Sequence, residues 1–241
     1  MNVLAIIPAR GGSQGIKDKN LTNILGKSLV EWAYFIGSQC KLIDRVVVST
    51  DSQVIASHAR SFGGDVPFIR PSDLAHSRTP DGPVFLHALN WLSDNEGYEP
   101  DLVVNLRPTF PCRSILQVDQ AVAMLLNGKD FDSLKSVSPA PVHPVKMWTI
   151  VDQELNSVST ELRIRFPDPD TGRQFLPPVY MSNGAIDIVR VQILKKNGCF
   201  HAGRIMALLM DYNCDIDTVA DIQLATEKMR EMIGGGAILL N

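Results

Sequence analysis

Short apolar runs alternate along the chain with stretches whose apolar residues recur every three or four positions. "NVLAIIP" (2–8) is almost continuously apolar and predicts a buried strand, followed by a helix in "SLVEWAYFIGSQC" (28–40). A second strand is predicted in "DRVVVST" (44–50), and "SQVIASHARSFG" (52–63) reads as a helix ending at glycine. The alternation continues through a short strand "VPFI" (66–69), a helix "PVFLHALNWLSD" (83–94) and a strand "DLVVNL" (101–106). A helix "SILQVDQAVAMLLNG" (114–128) and a strand "DSLKSVSP" (132–139) complete this part. Buried strands alternating with helices predict an α/β fold: a mainly parallel sheet in three layers, helices covering both faces.

The rhythm breaks after about residue 139. "SPAPVHPVKMWTIVDQELNSV" and "FPDPDTGRQFLPPVY" are rich in proline and read as a meander or extended arm. The pattern returns in "GAIDIVR", "RIMALLMDY" and a closing helix, "TVADIQLATEKMREM". Residues 1–241 are therefore expected to form a single domain, with 140–180 inserted as a lid or subunit contact. The tail "IGGGAILLN" is too short to interpret.

Composition narrows the function classes. The 241 residues are 45% hydrophobic and 20% charged, with a net charge of −3. That balance is ordinary for a globular chain and offers no general attraction to nucleic acid. No apolar run has the length of a membrane span, and the first residues enter a strand directly, so a cytoplasmic protein is expected. The four cysteines (Cys40, Cys112, Cys199, Cys214) form no C-x-x-C pair. The five histidines show no metal-ligand or triad pattern and receive no catalytic role.

The candidate chemistry starts in "IIPARGGSQGIKDKN" (6–20), where glycines and basic residues follow the first strand. A dinucleotide fingerprint is excluded because Gly11, Gly12 and Gly15 have the wrong spacing. "GKS" at 26–28 lacks the upstream glycine of a Walker A loop and reads as a turn before a helix. What remains is a non-helical loop around a nucleoside triphosphate. Arg10 and Lys19 would reach phosphate oxygens, and the backbone N–H groups of 11–15 would form an anion nest.

Other polar residues follow later strands. Asp51 in "STDS" would bind a ribose or base, or cap the next helix. Arg70 lies in "RPSDLA", and "NLRPTFPCR" brings Arg107, Thr109 and Arg113 just beyond a core strand. Arg107 and Thr109 are the better placed to face a ligand. In "DIDT", Asp215 and Asp217 would point to one side of an extended segment and suit Mg²⁺, or Asp217 would cap the following helix.

Together "IIPARGGSQGIKDKN", "VVVSTDS", "RPSDLA", "LRPTFPCR", "NGAIDI" and "DIDT" resemble the CMP-sialic acid synthetase (acylneuraminate cytidylyltransferase) family, over nearly the whole chain. The resemblance implies a nucleotidyltransferase (nucleotide-diphospho-sugar transferase-like) fold with an inserted dimerisation arm. It implies transfer of CMP from CTP to the anomeric hydroxyl of an acidic sugar, with release of pyrophosphate. Arg10, Gly11, Gly12, Lys19 and Asn20 would hold the nucleotide, Arg70 and Thr109 its cytidine side, and Asp215 and Asp217 the Mg²⁺. Catalytic roles fall on Arg10, Lys19 and Asp217. Lys146, Gln174, Asn183 and Arg107 would bind the sugar. The chain departs from the family pattern at Met181, where an arginine is common, at Arg107, where sialic acid enzymes have glutamine, and at Phe110, where serine is common. These departures widen the expected acceptor to other nonulosonates, eight-carbon ulosonic acids or a shorter acid, with Arg107 or Arg173 as its carboxylate partner. The family also implies a homodimer.

Overall fold

The computed structural model describes residues 1–13, 15–212 and 214–238. In chain order the strands are β1 (Val3–Pro8), β2 (Asn23–Ile24), β3 (Lys27–Ser28), β4 (Arg45–Ser49) and β5 (Leu102–Asn105). They continue with β6 (Ser133–Pro139), β7 (Trp148–Val151), β8 (Glu154–Ser157), β9 (Tyr180–Arg190) and β10 (Ile205–Leu209). The helices are α1 (Leu29–Gln39), α2 (Gln53–Ser61), α3 (Asp81–Glu96), α4 (Ile115–Asn127), α5 (Thr160–Arg165), α6 (Val191–Asn197) and α7 (Val219–Gly234).

The main sheet has the order β10-β6-β9-β5-β1-β4. β1 lies between β4 and β5 and is parallel to both, with Ala5 opposite Val46 and Val104. Its near-continuous apolar sequence follows from burial on both faces. Leu4, Ile6 and Val47 pack in one cluster with Phe85 and Leu89 of α3 and Leu194 of α6. The adjacent residue Val46 turns to the other face, against Gly37 of α1, as strand alternation requires. The sheet is thus mostly parallel and mixed: β9 pairs antiparallel with β5, Asp187 standing opposite Asn105. A parallel return would need a covering crossover helix, and the stretch between β6 and β9 supplies none of that length.

One expectation changes. Residues 66–69 form no strand; an isolated parallel bridge joins Val47 to Asp65 instead. Pro67 has no N–H to donate to a ladder, and the flanking residues bond instead: the Asp65 carbonyl accepts from the Val48 N–H, and the Arg70 N–H donates to the Thr50 carbonyl, each at 2.8 Å. The "GKS" stretch leads into α1 as expected, and the Ser28 side chain caps that helix by accepting from the Glu31 N–H at 3.2 Å.

The chain divides into two compact units. The first comprises Met1–Ser136, Asn183–Leu208 and Cys214–Asn241, and the second Val137–Ser182 and Leu209–Asn213. The second holds the β7-β8 hairpin, whose two-residue turn places Asp152 and Gln153 at φ 49 and 70. Within the second unit the Arg163 guanidinium sits over the Trp148 ring at 4.7 Å and also donates to the Val145 carbonyl. No helix among the described residues is long and apolar enough to cross a membrane.

Candidate active site

A cavity of about 460 Å³ opens in the first unit beyond the carboxyl ends of β1 and β5, where parallel sheets bind ligands. It is lined by Arg10, Lys19, Asn20, Arg70, Arg107, Thr109 and Asp217 among the expected residues. A second cavity of about 390 Å³, lined by Met1, Tyr98, Asp101 and Arg190, lies at the opposite, amino ends of these strands.

The loop after β1 is held from behind. The Gly11 N–H donates to Asp51 Oδ1 at 2.9 Å, and Asp51 is ion-paired with Arg70 at 3.6 Å. Arg70 is almost fully buried, and burial pushes its pKa below the usual arginine value while Asp51 opposes the shift. Asp51 is therefore the anchor of the loop. The cap of α2 is the next residue, Ser52, whose side chain accepts from the Ile55 N–H. Asn20, also buried, donates to the Arg10 carbonyl at 2.9 Å and closes the loop's far end. Gly12 takes φ +60, and at Gly15 a β-carbon would come within 2.6 Å of the Asp217 carbonyl oxygen. No larger residue fits at Gly15, and so the loop reaches the D-I-D segment.

Lys19 makes the same connection with charge. Its Nζ donates to the Ile216 carbonyl at 2.7 Å and to Asp217 Oδ1 at 3.2 Å. The Ile216 N–H in turn donates to the Thr109 carbonyl at 2.8 Å, and the Thr109 side chain hydrogen-bonds Asp215. Three loops, after β1, after β5 and before α7, thereby meet at one point. Burial raises the Asp215 carboxyl above its usual value; Asp217 adds to the rise, and Thr109 and Lys19 resist it. Asp217 is exposed and caps nothing. α7 starts at Thr218 in a capping box with Asp221, which also takes the Asp217 N–H at 3.0 Å. No cluster of three or more His, Cys, Asp or Glu side chains arranged to hold a metal occurs among the described residues. A cation here would take Asp215, Asp217 and oxygens from a ligand.

Arg107 sits between two carboxylates, bonding to Asp81 through Nη2 and to Asp187 Oδ2 through Nη1 at 2.9 Å. Asp187 is buried on β9, with His201 Nε2 at 3.1 Å and Lys135 Nζ at 3.6 Å. Burial alone would raise its carboxyl, but His201, Arg107 and Lys135 hold it below the ordinary value. Arg113 does not begin α4, which Ser114 caps. It is buried and donates to the backbone carbonyls of Arg107 and Phe110, pinning the loop that carries Thr109. Burial, reinforced by Arg107, pushes the Arg113 pKa down to about 9.

The remaining expected residues divide. Asn183 belongs to the first unit, is buried, and its Oδ1 accepts from Ser136 at 2.6 Å and the Ala185 N–H at 3.1 Å. Lys146 closes a short turn capped by His143, and Gln174 is exposed in the Arg173–Phe175 turn; both belong to the second unit. The Arg173 guanidinium donates to the Pro141 carbonyl at 3.0 Å. Sequence reasoning missed Asp81, Asp187, Lys135 and His201. For Asp187 a signal existed: a carboxylate at an inward position of the apolar run "GAIDIV" demands partners.

Comparison with known proteins bears on the family and the fold. Residues 4–200 match the family model described as cytidylyltransferase. The chain is 33% identical over 239 residues to the CMP-N,N'-diacetyllegionaminic acid synthase of Legionella pneumophila, covering 96% of this chain and 97% of that protein. It is 30% identical to the Campylobacter jejuni synthase of the same name, over 92% of each chain. It is 29% identical to the N-acylneuraminate cytidylyltransferase of Escherichia coli, spanning 51% of that longer protein. The structure of a CMP:2-keto-3-deoxy-manno-octonic acid synthetase complexed with CTP superposes with a TM-score of 0.71 at 14% identity. That structure covers 96% of this chain and 99% of its own, and at such identity the likeness speaks for the fold alone. On the extent of these matches the chain belongs to the cytidylyltransferase family, of the CMP-sialic acid synthetase type, and is a nucleotidyltransferase.

Proposed function

We propose that the protein transfers CMP from CTP to the anomeric hydroxyl of an acidic sugar, a nonulosonate of the sialic or legionaminic kind or a related ulosonic acid, releasing pyrophosphate. The observation that carries this reading is the meeting of Arg10, Lys19 and the D-I-D segment in one cavity at the strand ends. The names of the Legionella and Campylobacter relatives support the acceptor class.

Mg²⁺ fits Asp215 and Asp217 by the chemistry of the donors. Both offer hard oxygens, with one residue between them in the D-I-D segment, and burial mainly raises the Asp215 carboxyl while Asp217 adds a smaller upward push. Bound there, the ion would neutralise charge developing on the phosphates. Arg10 and the backbone N–H of Gly12 would bind phosphate oxygens, Gly11 shaping the loop with its own N–H held by Asp51, and Lys19 would bind them from its tether on Ile216. Thr109 orients Asp215 through its hydrogen bond, and Arg70 and Asp51 keep the loop in place. Arg70 and Thr109 would border the cytidine. The exposed Asp217 carboxylate would accept the proton of the attacking hydroxyl. Arg107 is proposed for the acceptor side of this cavity, and Lys146, Gln174 and Asn183 are proposed as acceptor-binding residues on the family resemblance alone.

Two further readings go with the reaction. The second unit, within residues 140–180, would make a homodimer contact; its exposed Trp148, Ile150, Val151 and Leu155 support this. Use of CTP supports a cytoplasmic location.

The test is pyrophosphate release with CTP and Mg²⁺ across sialic, legionaminic, pseudaminic and eight-carbon ulosonic acids. Release with one acid establishes the reaction and its acceptor. Silence across the panel while CTP binds in calorimetry rejects the proposed acceptor class.

A further inference from the structure

We infer that Asp81 competes with the acceptor's carboxylate for the Arg107 guanidinium, and that the acid group of the sugar binds by displacing it. The inference rests on the transferase reading above. Arg107 and Asp81 both line the cavity. The Arg107 Nη2 donates to Asp81 Oδ2, and its Nη1 donates to Asp187 Oδ2 at 2.9 Å. These two carboxylates differ in burial: the Asp81 side chain is 36% exposed and that of Asp187 1%. Parted from Arg107, Asp187 would remain buried with one charged hydrogen bond fewer, which is strongly unfavourable. Asp81 loses far less. It is already partly solvated, keeps the Asn105 Nδ2 donor at 3.4 Å, and lies in the first turn of α3, where the helix dipole favours a negative charge.

One arm of the guanidinium is therefore fixed and the other exchangeable. Asp187, itself held by Lys135 and His201, anchors Nη1 and sets the orientation of the whole group. Nη2 is left to whichever carboxylate reaches it, and a second carboxylate replaces the Asp81 bond with one of the same kind. Position gives this arm to the acid group of the acceptor. In an ulosonic acid the anomeric carbon carries both the attacking hydroxyl and the carboxylate, so the group that binds the acid must adjoin the reacting atoms. A β-carbon at Gly184 would lie 3.8 Å from Arg107 Cδ and Nη1 and 3.8 Å from Asp215 Oδ2, so Arg107 adjoins a carboxylate proposed for the metal. Arg173, the other arginine expected for the acid, belongs to the second unit and donates to the Pro141 carbonyl. Asp81 thus sets how tightly the site holds an acid.

The test measures acceptor KM and kcat by pyrophosphate release for the wild type, Asp81→Asn, Arg107→Gln and the double variant, using the acidic sugar the wild type turns over best. CTP affinity is read by calorimetry on the same proteins. Asp81→Asn should lower the KM of the acid about 3- to 10-fold and hold kcat within about threefold. Arg107→Gln should raise that KM about 10- to 100-fold. In the Arg107→Gln background, adding Asp81→Asn should change KM by less than about twofold, because the competition needs the arginine. CTP affinity should hold throughout. A KM that stays or rises in Asp81→Asn overturns the inference. A fall that persists without Arg107, or that extends to CTP, overturns it too, since Asp81 would then act as a general repulsive charge. Asp81→Ser, which keeps a short polar side chain at the start of α3, takes the place of Asp81→Asn if thermal melts show that variant unfolded. A wild type that binds CTP and turns over no acid removes the transferase reading and this inference with it. Turnover in the wild type with a KM indifferent to Asp81 removes the inference alone.

Discussion

The first unit and the hairpin of the second handle apolar residues in opposite ways. In the first, Leu4, Ile6, Val47 and Val103 are buried from both sides, and Trp32 and Phe85 are fully enclosed. In the hairpin every residue of β7 is exposed, with Ile150 at 74% and Leu155 at 63%. The first unit builds a core from its own sequence, and the cavity's loops rest on that core. The hairpin's apolar side chains serve no core within their own unit. Their exposure is the physical ground for the proposed dimer contact.

Breaking the comparison begins in the cavity. Asp217→Ala removes an exposed carboxylate and should leave the fold alone while lowering turnover by about 10²- to 10³-fold. Parallel thermal melts and pyrophosphate assays check this, and full activity in the variant would withdraw the metal assignment. Next comes the buried network. Asp187→Asn leaves Arg107, Lys135 and His201 around a neutral group and should cost about 3–5 kcal/mol at neutral pH in urea unfolding. Since the folded pKa of Asp187 is held below the unfolded one, its stabilisation is present above the ordinary carboxylate pKa. It is lost as pH falls through the folded value, so the gap between wild type and variant should close in acid. A gap independent of pH would mean the network's charge is not what stabilises. The smallest effect belongs to the hairpin. Ile150→Glu should change the stability of the isolated chain by no more than about 0.5 kcal/mol. In sedimentation the same change should shift the protein toward monomer, and an unaltered dimer would place the contact elsewhere.

Much of this was legible in the chain. Apart from the strand expected at 66–69, the expected helices and strands up to β6 appear where the periodicity puts them, because two buried faces impose nearly continuous apolar strands. α6 escaped because its seven residues are too few to show a helical period. The loop after β1 was legible for a local reason: glycines, Arg10 and Lys19 lie within a few residues and limit what can bind. The partners of that loop were not. Asp51 read equally well as a helix cap, and only its distance from Gly11 in the fold, against 40 residues in sequence, decides its work. Arg113 stood in sequence beside Arg107 and Thr109, and only its burial and its bonds to two carbonyls make it a brace.

The sequence by itself determined the α/β frame, the family and the basic and acidic motifs, since each depends on neighbours in the chain or on a period. Tertiary structure alone decided that β9 runs antiparallel beside β5 and that Asp81, Arg107 and Asp187 form one chain of charge. Arg107 lies 26 residues from the first of these carboxylates and 80 from the second. Charges act through space, and no local pattern records which of them the fold will bring within bonding distance.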